Sequence, residues 1–526
     1  IYLLRSIVTQ GADRLSWDDF SKVALNGPAL PGVTPEVGLS RVYPLVEDFA
    51  HVVGYVGPVS EKDLENLPDP DPVLQIPKFQ IGKVGVERWL EDALRGSAGI
   101  KRVEVNAVGR LMREIGRVEG TPGSDIRLTI DADVQNFVQA RLGGESAAAV
   151  VMDVTNGDLI AIASSPSFDP NLFVRGISHD HYNGLMENDH RPLANKTVQG
   201  VYPPGSTFKM VTALAALDAG VIDINSTTRC PGYLEFGGQR FHCWKRAGHG
   251  TVDLARSLTE SCDVYYYDIA QKVGIDKIAE MGRRLGLGLR HDLPMSAISE
   301  GTMPNKAWKQ ESQKADWRIG DTINAAIGQG YVLASPLQLA VMSARLATGR
   351  AVVPRLVRMI GGKQTPLPDA PSLGLDAAAL EQVRMGMHKV VNSERGTAYS
   401  SRIADKTRMF AGKTGTSQVR NISAAERASG VIANDQLPWN RRDHALFVGF
   451  APSDAPRYAV SVVVEHGGGG SAVAAPIARD IILRAMSDGI PSLDAYPESQ
   501  RGRIETMLNE LNLRSVAADA PVPTRT

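Results

Sequence analysis

Three short groups of residues carry the chemistry legible in this sequence, and the first is Ser206 with Lys209, in the stretch GVYPPGSTFKMVTALAALDAG at 200–220. Pro203, Pro204 and Gly205 make a stiff, unhelical approach; Ser206 then opens an apolar segment of helical period (Phe208, Val211, Leu214, Leu217) that stops at Gly220. The pattern predicts a helix with Ser206 at its N-terminus and Lys209 one turn on, on the same face, its amine within reach of the Ser206 hydroxyl. A serine hydroxyl attacks carbonyls near neutral pH only with help. A lysine desolvated against an apolar helix can lose its proton near pH 7 and accept the serine's. Free N–H groups at the helix start can help hold an oxyanion. About two Ser-x-x-Lys matches arise by chance in a chain of this length, so the pair takes its meaning from its company.

That company is Ser261-Cys262-Asp263, ahead of the aromatic run Tyr265, Tyr266, Tyr267, and Lys413-Thr414-Gly415-Thr416, at the start of a strand-like run. Singly, Ser-x-Asp reads as a helix cap and Lys-Thr-Gly as a strand start. In this order the three form the serine acyl-transferase signature shared by penicillin-binding proteins and class A β-lactamases. The roles follow from residue chemistry. Ser261 can relay a proton between Lys209 and a leaving amine. Gly415 leaves room for a substrate peptide to pair along the strand edge. Lys413 and Thr416 offer positive charge and a hydroxyl to a terminal carboxylate, and the N–H groups of Ser206 and Thr416 make an oxyanion hole.

These residues need a large scaffold, and 526 residues with 43% hydrophobic and 22% charged composition provide one, enough for two to four soluble domains. A net charge of −1 gives no reason to expect nucleic acid or an acidic membrane surface as partner. No apolar run is long enough to span a bilayer. Residues 1–122 read as a mixed, Pro-punctuated, non-catalytic pedestal: RVYPLVEDFAHVVGYVGPV as an extended stretch, IGKVGVERWLEDALRG as a helix, VEVNAVGRLMREI as a strand broken at Gly109. From 123 to 490 the texture is catalytic-domain α+β. DADVQNFVQARL reads as a helix, SAAAVVMDVTNGDLIAIASSPS as two strands across an Asn156-Gly157 turn, Ser335 to Gly349 and Leu380 to Val391 as helices. Three late strand-like runs (AGKTGTSQV, DHALFVGFAP, RYAVSVVVEHGG) precede a last helix, PIARDIILRAM. Early and late strands are expected to pair antiparallel in one sheet flanked by helices. Residues 491–526 read as a tail with one short helix and a loose end.

From about Val84 onward the chain resembles the penicillin-binding protein 2 family, class B transpeptidases of bacterial cell elongation. The resemblance rests on AHVVGYVG just ahead of that point, and on VEVNAVGR, SFDPNLFVRGIS, QGVYPPGSTFK, GHGTVDLARSLTESCDVYYYDIA, GDTINAAIGQGY and GKTGTSQV. It implies a periplasmic serine D-Ala-D-Ala transpeptidase that cross-links peptidoglycan stem peptides and is acylated by β-lactams. It further implies an inner-membrane anchor through an N-terminal helix absent from this chain, which begins at Ile1, and partnership with a polytopic lipid II polymerase and elongation-complex scaffold proteins. By resemblance Ser206 is the nucleophile, Lys209 the base, Ser261 and Asp263 the second motif, and Lys413 to Thr416 the third. Most penicillin-binding proteins carry Asn where Asp263 stands. Class D β-lactamases and β-lactam sensors share Ser-Thr-Phe-Lys and Lys-Thr-Gly, but have a Ser-x-Val second motif and no use for the long N-terminal platform. A non-catalytic cell-wall scaffold would not need three intact motifs.

The cysteines form a further group. Cys230, Cys243 and Cys262, the only three in the chain, fall with His249 in the pattern Cys-x12-Cys-x5-His-x12-Cys. Three thiolates and an imidazole suit structural tetrahedral Zn²⁺; a Cys230–Cys243 disulfide with Cys262 buried and free is the alternative. His242 competes as a ligand, but in an extended segment it would point away from its neighbour Cys243. Metal ligands at matching positions in the resembling family favour zinc.

Overall fold

The computed structural model describes residues 17–30, 41–65, 71–75, 79–107, 111–174, 176–420, 422, 426 and 429–514. The end of the tail, VAADAPVPTRT, and Gly109 lie outside them. The chain divides into two compact units: Ile1–Asp125 with Ser167–Asn188 and Pro294–Ser296, and the remainder.

In the first unit a small cluster of Tyr43, Val56 and Val174 is buried. Tyr43 donates to Glu87 (3.1 Å) and accepts from the Val56 N–H (2.9 Å), while Arg41 pairs with Glu87. The stretch expected to be extended is mostly helical, with a 3₁₀ turn at Val46–Asp48 and a helical turn at Ala50–Val53; only Val56–Pro58 is a strand, paired with Gln80–Gly82. A short apolar run fits either period, and here burial of Ala50 and Val52 selects the helix. The helix expected from Ile81 is two short ones, Gly85–Trp89 and Glu91–Arg95, and Ile100–Val105 pairs with Leu111–Val118 as an exposed hairpin. No helix among the described residues is long and apolar enough to cross a membrane.

The second unit holds the catalytic motifs. Among its helices and strands are α1 (Ala132–Leu142), β1 (Ala147–Asp153) and β2 (Leu159–Ser165), the last two joined across the Asn156-Gly157 turn. Next come α2 (Lys209–Asp218), α3 (Leu254–Thr259), α4 (Asp263–Val273), α5 (Pro336–Thr348) and α6 (Ala377–Asn392). The chain then forms β3 (Ala411–Ser417), β4 (His444–Ala451), β5 (Tyr458–Val464), α7 (Ala474–Ala485) and α8 (Arg501–Asn509). One antiparallel sheet has the order β3-β4-β5-β1-β2, so the late strand β5 lies against the early strand β1, as the sequence predicts.

Both faces of the sheet are covered, which is why β1 is buried at every position rather than alternately. Ala147, Ala149, Val151, Val460 and Val462 pack with Val134 and Val138 of α1 and Ile477, Ile481 and Ile482 of α7. On the other face Ser461 donates to the Pro336 carbonyl (2.6 Å) and Ser343 of α5 to that of Gly449 (2.7 Å). Helix α5 starts at a capping box of Ser335 and Gln338 with Pro336 in its first turn, and ends at Gly349 in the left-handed region. The segment after Pro491 joins the same core: Ala495, Tyr496 and Ile504 are buried in it.

Candidate active site and thiol cluster

Ser206 sits where the sequence places it, at the start of a helical segment. The first turn, Gly205–Phe208, is 3₁₀, and α2 follows from Lys209. The Gly205 N–H donates to the Gly328 carbonyl (2.9 Å) and Thr207 folds its hydroxyl back on the Pro204 carbonyl (2.7 Å). Upstream, Tyr202 exchanges backbone hydrogen bonds with Ala334 and donates its hydroxyl to Glu465 (2.9 Å) at the end of β5. Gly205 has φ +55°, and a Cβ there would lie 2.6 Å from the Thr416 carbonyl oxygen. The nucleophile turn therefore packs directly on the third motif, and only glycine permits it.

Strand β3 carries that third motif at the sheet edge, paired on one side only, with β4. The side-chain direction of Gly415 runs into Thr207 (2.8 Å) and the Pro204 carbonyl (2.9 Å), so the glycine serves the approach of the serine turn as well as an open strand edge. Lys413 is wholly buried. Its ammonium position is 2.9 Å from Ser261 Oγ and 3.1 Å from the Thr414 carbonyl. Burial and then the nearby Lys209 charge hold its pKa well below the ordinary lysine value.

The second motif lies between α3 and α4, with Ser261 in the left-handed region at φ +55°, a strained position for a residue with a side chain. Lys209, also wholly buried, donates to Asp263 Oδ1 (2.8 Å), the Ser261 carbonyl (2.9 Å) and Ser261 Oγ (3.0 Å). Ser261 Oγ is thus held between two lysines. Burial raises the Asp263 carboxyl above the ordinary range, the Lys209 ammonium opposing it. Among the described residues no hydrogen bond joins Lys209 to Ser206; the lysine's donors are turned to the second motif.

All three motifs border one cleft of about 660 Å³, lined by Ser206, Ser261, Asp263, Thr414, Gly415 and Thr416 among others. Three residues that sequence reasoning passed over also line it. Trp244 donates its backbone N–H to Asp263 Oδ2 (2.9 Å) and its indole N–H to the Glu260 and Ser261 carbonyls. Thr397 shares a 2.7 Å hydrogen bond with the Thr414 hydroxyl, and Gln329 donates to the Thr416 carbonyl (3.3 Å). Trp244 had a signal in its place beside Cys243, and Gln329 had one in the stretch GDTINAAIGQGY; Thr397 has none outside the fold.

Behind Trp244, Cys230, Cys243, His249 and Cys262 converge, all buried, with their ligand atoms within 4.8 Å of one another. All three thiols are free. His249 Nδ1 stands 3.5 Å from the Cys243 sulfur and 3.6 Å from that of Cys230. A tetrahedral Zn²⁺ at its usual bond lengths sets sulfur and nitrogen about 3.5 Å apart, so the donor set fits that ion. Among the described residues His249 Nε2 is buried without a hydrogen-bond partner, leaving the sulfurs as the ring's polar contacts. A hydrogen bond between Cys262 and Cys243 pulls the Cys243 thiol's pKa down and holds that of Cys262 up. His242 is exposed and is not among the converging ligand residues.

Comparison with known proteins agrees with this architecture. Residues 147–483 match the penicillin-binding protein transpeptidase domain and 6–128 the penicillin-binding protein dimerisation domain. The peptidoglycan D,D-transpeptidase MrdA of Acinetobacter baumannii is 38% identical over 458 residues, 85% of this chain and 66% of that protein. Pseudomonas aeruginosa PBP2, solved in complex with WCK 5153, is 38% identical with a TM-score of 0.73, over 88% of this chain and 94% of that one. Helicobacter pylori PBP2, solved in complex with MreC, is 29% identical with a TM-score of 0.74, over 89% and 91%. With its three motifs assembled in one cleft and this likeness along most of its length, the chain belongs to the penicillin-binding protein 2 family of peptidoglycan D,D-transpeptidases.

Proposed function

We propose that the chain cross-links peptidoglycan stem peptides by a serine acyl-enzyme route in which Ser206 is the nucleophile. Ser206 Oγ attacks the carbonyl between the two terminal D-alanines, the C–N bond breaks, and the amine of an acceptor stem then displaces the ester. The observation that carries this reading is the Ser261 hydroxyl, 3.0 Å from Lys209 and 2.9 Å from Lys413, in the cleft that Ser206 and the open edge of β3 border. Lys209 passes one proton through Ser261 to Lys413, the lysine that burial favours as neutral, and then takes the proton of Ser206. The same path returns a proton to the departing amine. Asp263 holds Lys209 in place, the N–H groups of Ser206 and Thr416 receive the oxyanion, and Thr414 and Thr416 receive the donor's carboxyl end.

β-Lactams, as mimics of the D-Ala-D-Ala end, acylate Ser206. Cys230, Cys243, His249 and Cys262 would hold one structural Zn²⁺, whose contribution would be to folding and positioning rather than to activating a water. The resemblance to penicillin-binding protein 2 supports a periplasmic catalytic domain tethered to the inner membrane. Likeness to the H. pylori protein solved with MreC supports elongation-complex scaffold partners, and the resemblance to penicillin-binding protein 2 supports a polytopic lipid II polymerase beside them. Labelled penicillin should add one drug molecule per chain, on a peptide containing Ser206, and the adduct should persist for many minutes. Covalent labelling of a folded Ser206→Ala protein, or rapid consumption of excess drug, would refute the reading.

A further inference from the structure

The burial of Lys413 leaves a question of recognition. Its two hydrogen bonds run inward to Ser261 Oγ and the Thr414 carbonyl, and none of its surface reaches the cleft, so a substrate carboxylate cannot pair with it directly. Among the described residues Arg240 is the one arginine or lysine lining the cleft, and it is exposed, bound to Glu235 at 2.8 Å and stacked 4.5 Å over Tyr233. Hydroxyls remain. Thr414 and Thr397 both line the cleft with their oxygens 2.7 Å apart. Whichever of the two donates across that contact, one O–H is left over, and its strength as a donor is raised by the bond behind it. The terminal carboxylate of a donor in the cleft would accept it.

Thr397 is also held as a binding residue should be. Its N–H donates to the Thr259 carbonyl (3.3 Å), two residues before Ser261, so it joins the arm of the second motif to the strand of the third. The loop that carries it is fastened from the C-terminal segment, by Gln500 to the Ser400 carbonyl (2.6 Å) and by Ala404 to the Ala495 carbonyl (2.8 Å). No sequence motif marks this residue, and neither of the lysines can substitute for it.

We infer that Thr397 is a substrate-binding residue, its hydroxyl completing with Thr414 the site for the terminal carboxylate of the acyl donor. The inference rests on the acyl-enzyme reading above. It is tested by the ratio of second-order acylation rates for benzylpenicillin and its methyl ester, which differ only in that carboxylate. Adduct formation at Ser206 in the unaltered protein verifies the underlying reading separately. In Thr397→Val the acid-to-ester ratio should fall by about tenfold or more, the worth of a hydrogen bond to a charged group, and Thr397→Ser should keep it within about twofold. A residue that merely braces the loop would slow both drugs alike and leave the ratio intact. That result, or a Ser variant as defective in the ratio as Val, overturns the proposal, as does a ratio that collapses in Arg240→Ala while surviving in Thr397→Val. Should Thr397→Val not fold, Thr397→Ala carries the same measurement, with the same outcomes deciding.

Discussion

Ser261 Oγ meets Lys209 and Lys413 at nearly equal distance, and among the described residues one carboxylate, Asp263, contacts the pair. Two buried ammoniums beside one carboxylate would leave a net charge in a low-dielectric site, so one lysine is favoured as neutral, and Lys413, which lacks a carboxylate contact, is the one. Lys209→Arg keeps the charge beside Asp263 but cannot give up a proton; acylation by penicillin should fall by about 10²–10⁴-fold with the fold intact. A wild-type rate would place the base elsewhere. Away from the cleft, His291 is buried, with Nε2 2.9 Å from the Gly286 carbonyl, and burial lowers its pKa to about 4. Between that value and its unfolded pKa of about 6.5 the unfolded chain binds more protons, so stability rises with pH across this window and is lost on acidification through it. The contribution is on the order of 3 kcal/mol. His291→Gln should flatten the melting-temperature profile between about pH 6.5 and pH 4 relative to the parent; an unchanged difference between those two pH values would mean that His291 titrates normally.

The elements most legible in the sequence are those whose evidence is local. The Asn156-Gly157 hairpin, the capped helix α5 and the serine turn each announce themselves within a few residues, and each forms at the expected place. Pairing of β5 with β1 across some 300 residues was reachable from the apolar character of both runs. What was not legible depends on distant contacts: Lys413 turned inward, Thr397 against Thr414, and the break at Leu90 where one expected helix becomes two. The thiol cluster lies between these cases: its residues and their convergence were expected from residue type and resemblance, while the spacing left a Cys230–Cys243 disulfide open. Its ligands come from the end of strand Thr228–Cys230, the residue after the hairpin strand Gln239–His242, the residue before Gly250–Val252, and the N-cap of α4. A Zn²⁺ bound there would tie three short segments to the loop of Ser261 and Asp263, which itself supplies Cys262 as the fourth ligand. Protein purified without chelator should contain about one zinc per chain, and stripping it should lower both melting temperature and acylation rate. Metal-free protein with both unchanged would show the four residues to be packing alone.

At the scale of the whole molecule, the units do not divide at a single point in the chain. A cut near residue 122 is what the change of texture suggests, yet Ser167–Asn188, far inside the catalytic stretch, belongs to the first unit. The reason lies in its side chains. Asn171 accepts from the Tyr43 N–H and donates to the Tyr43 carbonyl, both at 2.9 Å, while Phe173 stacks on Tyr55 at 4.1 Å and Phe168 meets His51 and Tyr55 edge-on. Phe168 and Phe173 are buried by these contacts. A fragment beginning at Ile126 keeps every catalytic motif but loses the partners of both rings, exposing an apolar patch that a soluble monomer rarely tolerates. That fragment should bind apolar dyes and associate on size-exclusion chromatography where the full chain does not. Co-expression with the segment ending at Asp125, which restores Tyr43 and Tyr55, should reverse both. The central sheet is complete without the first unit, so the soluble fraction should still take up labelled penicillin at Ser206. A fragment that stays monomeric and silent to the dye would mean that Ser167–Asn188 finds cover within the catalytic unit itself.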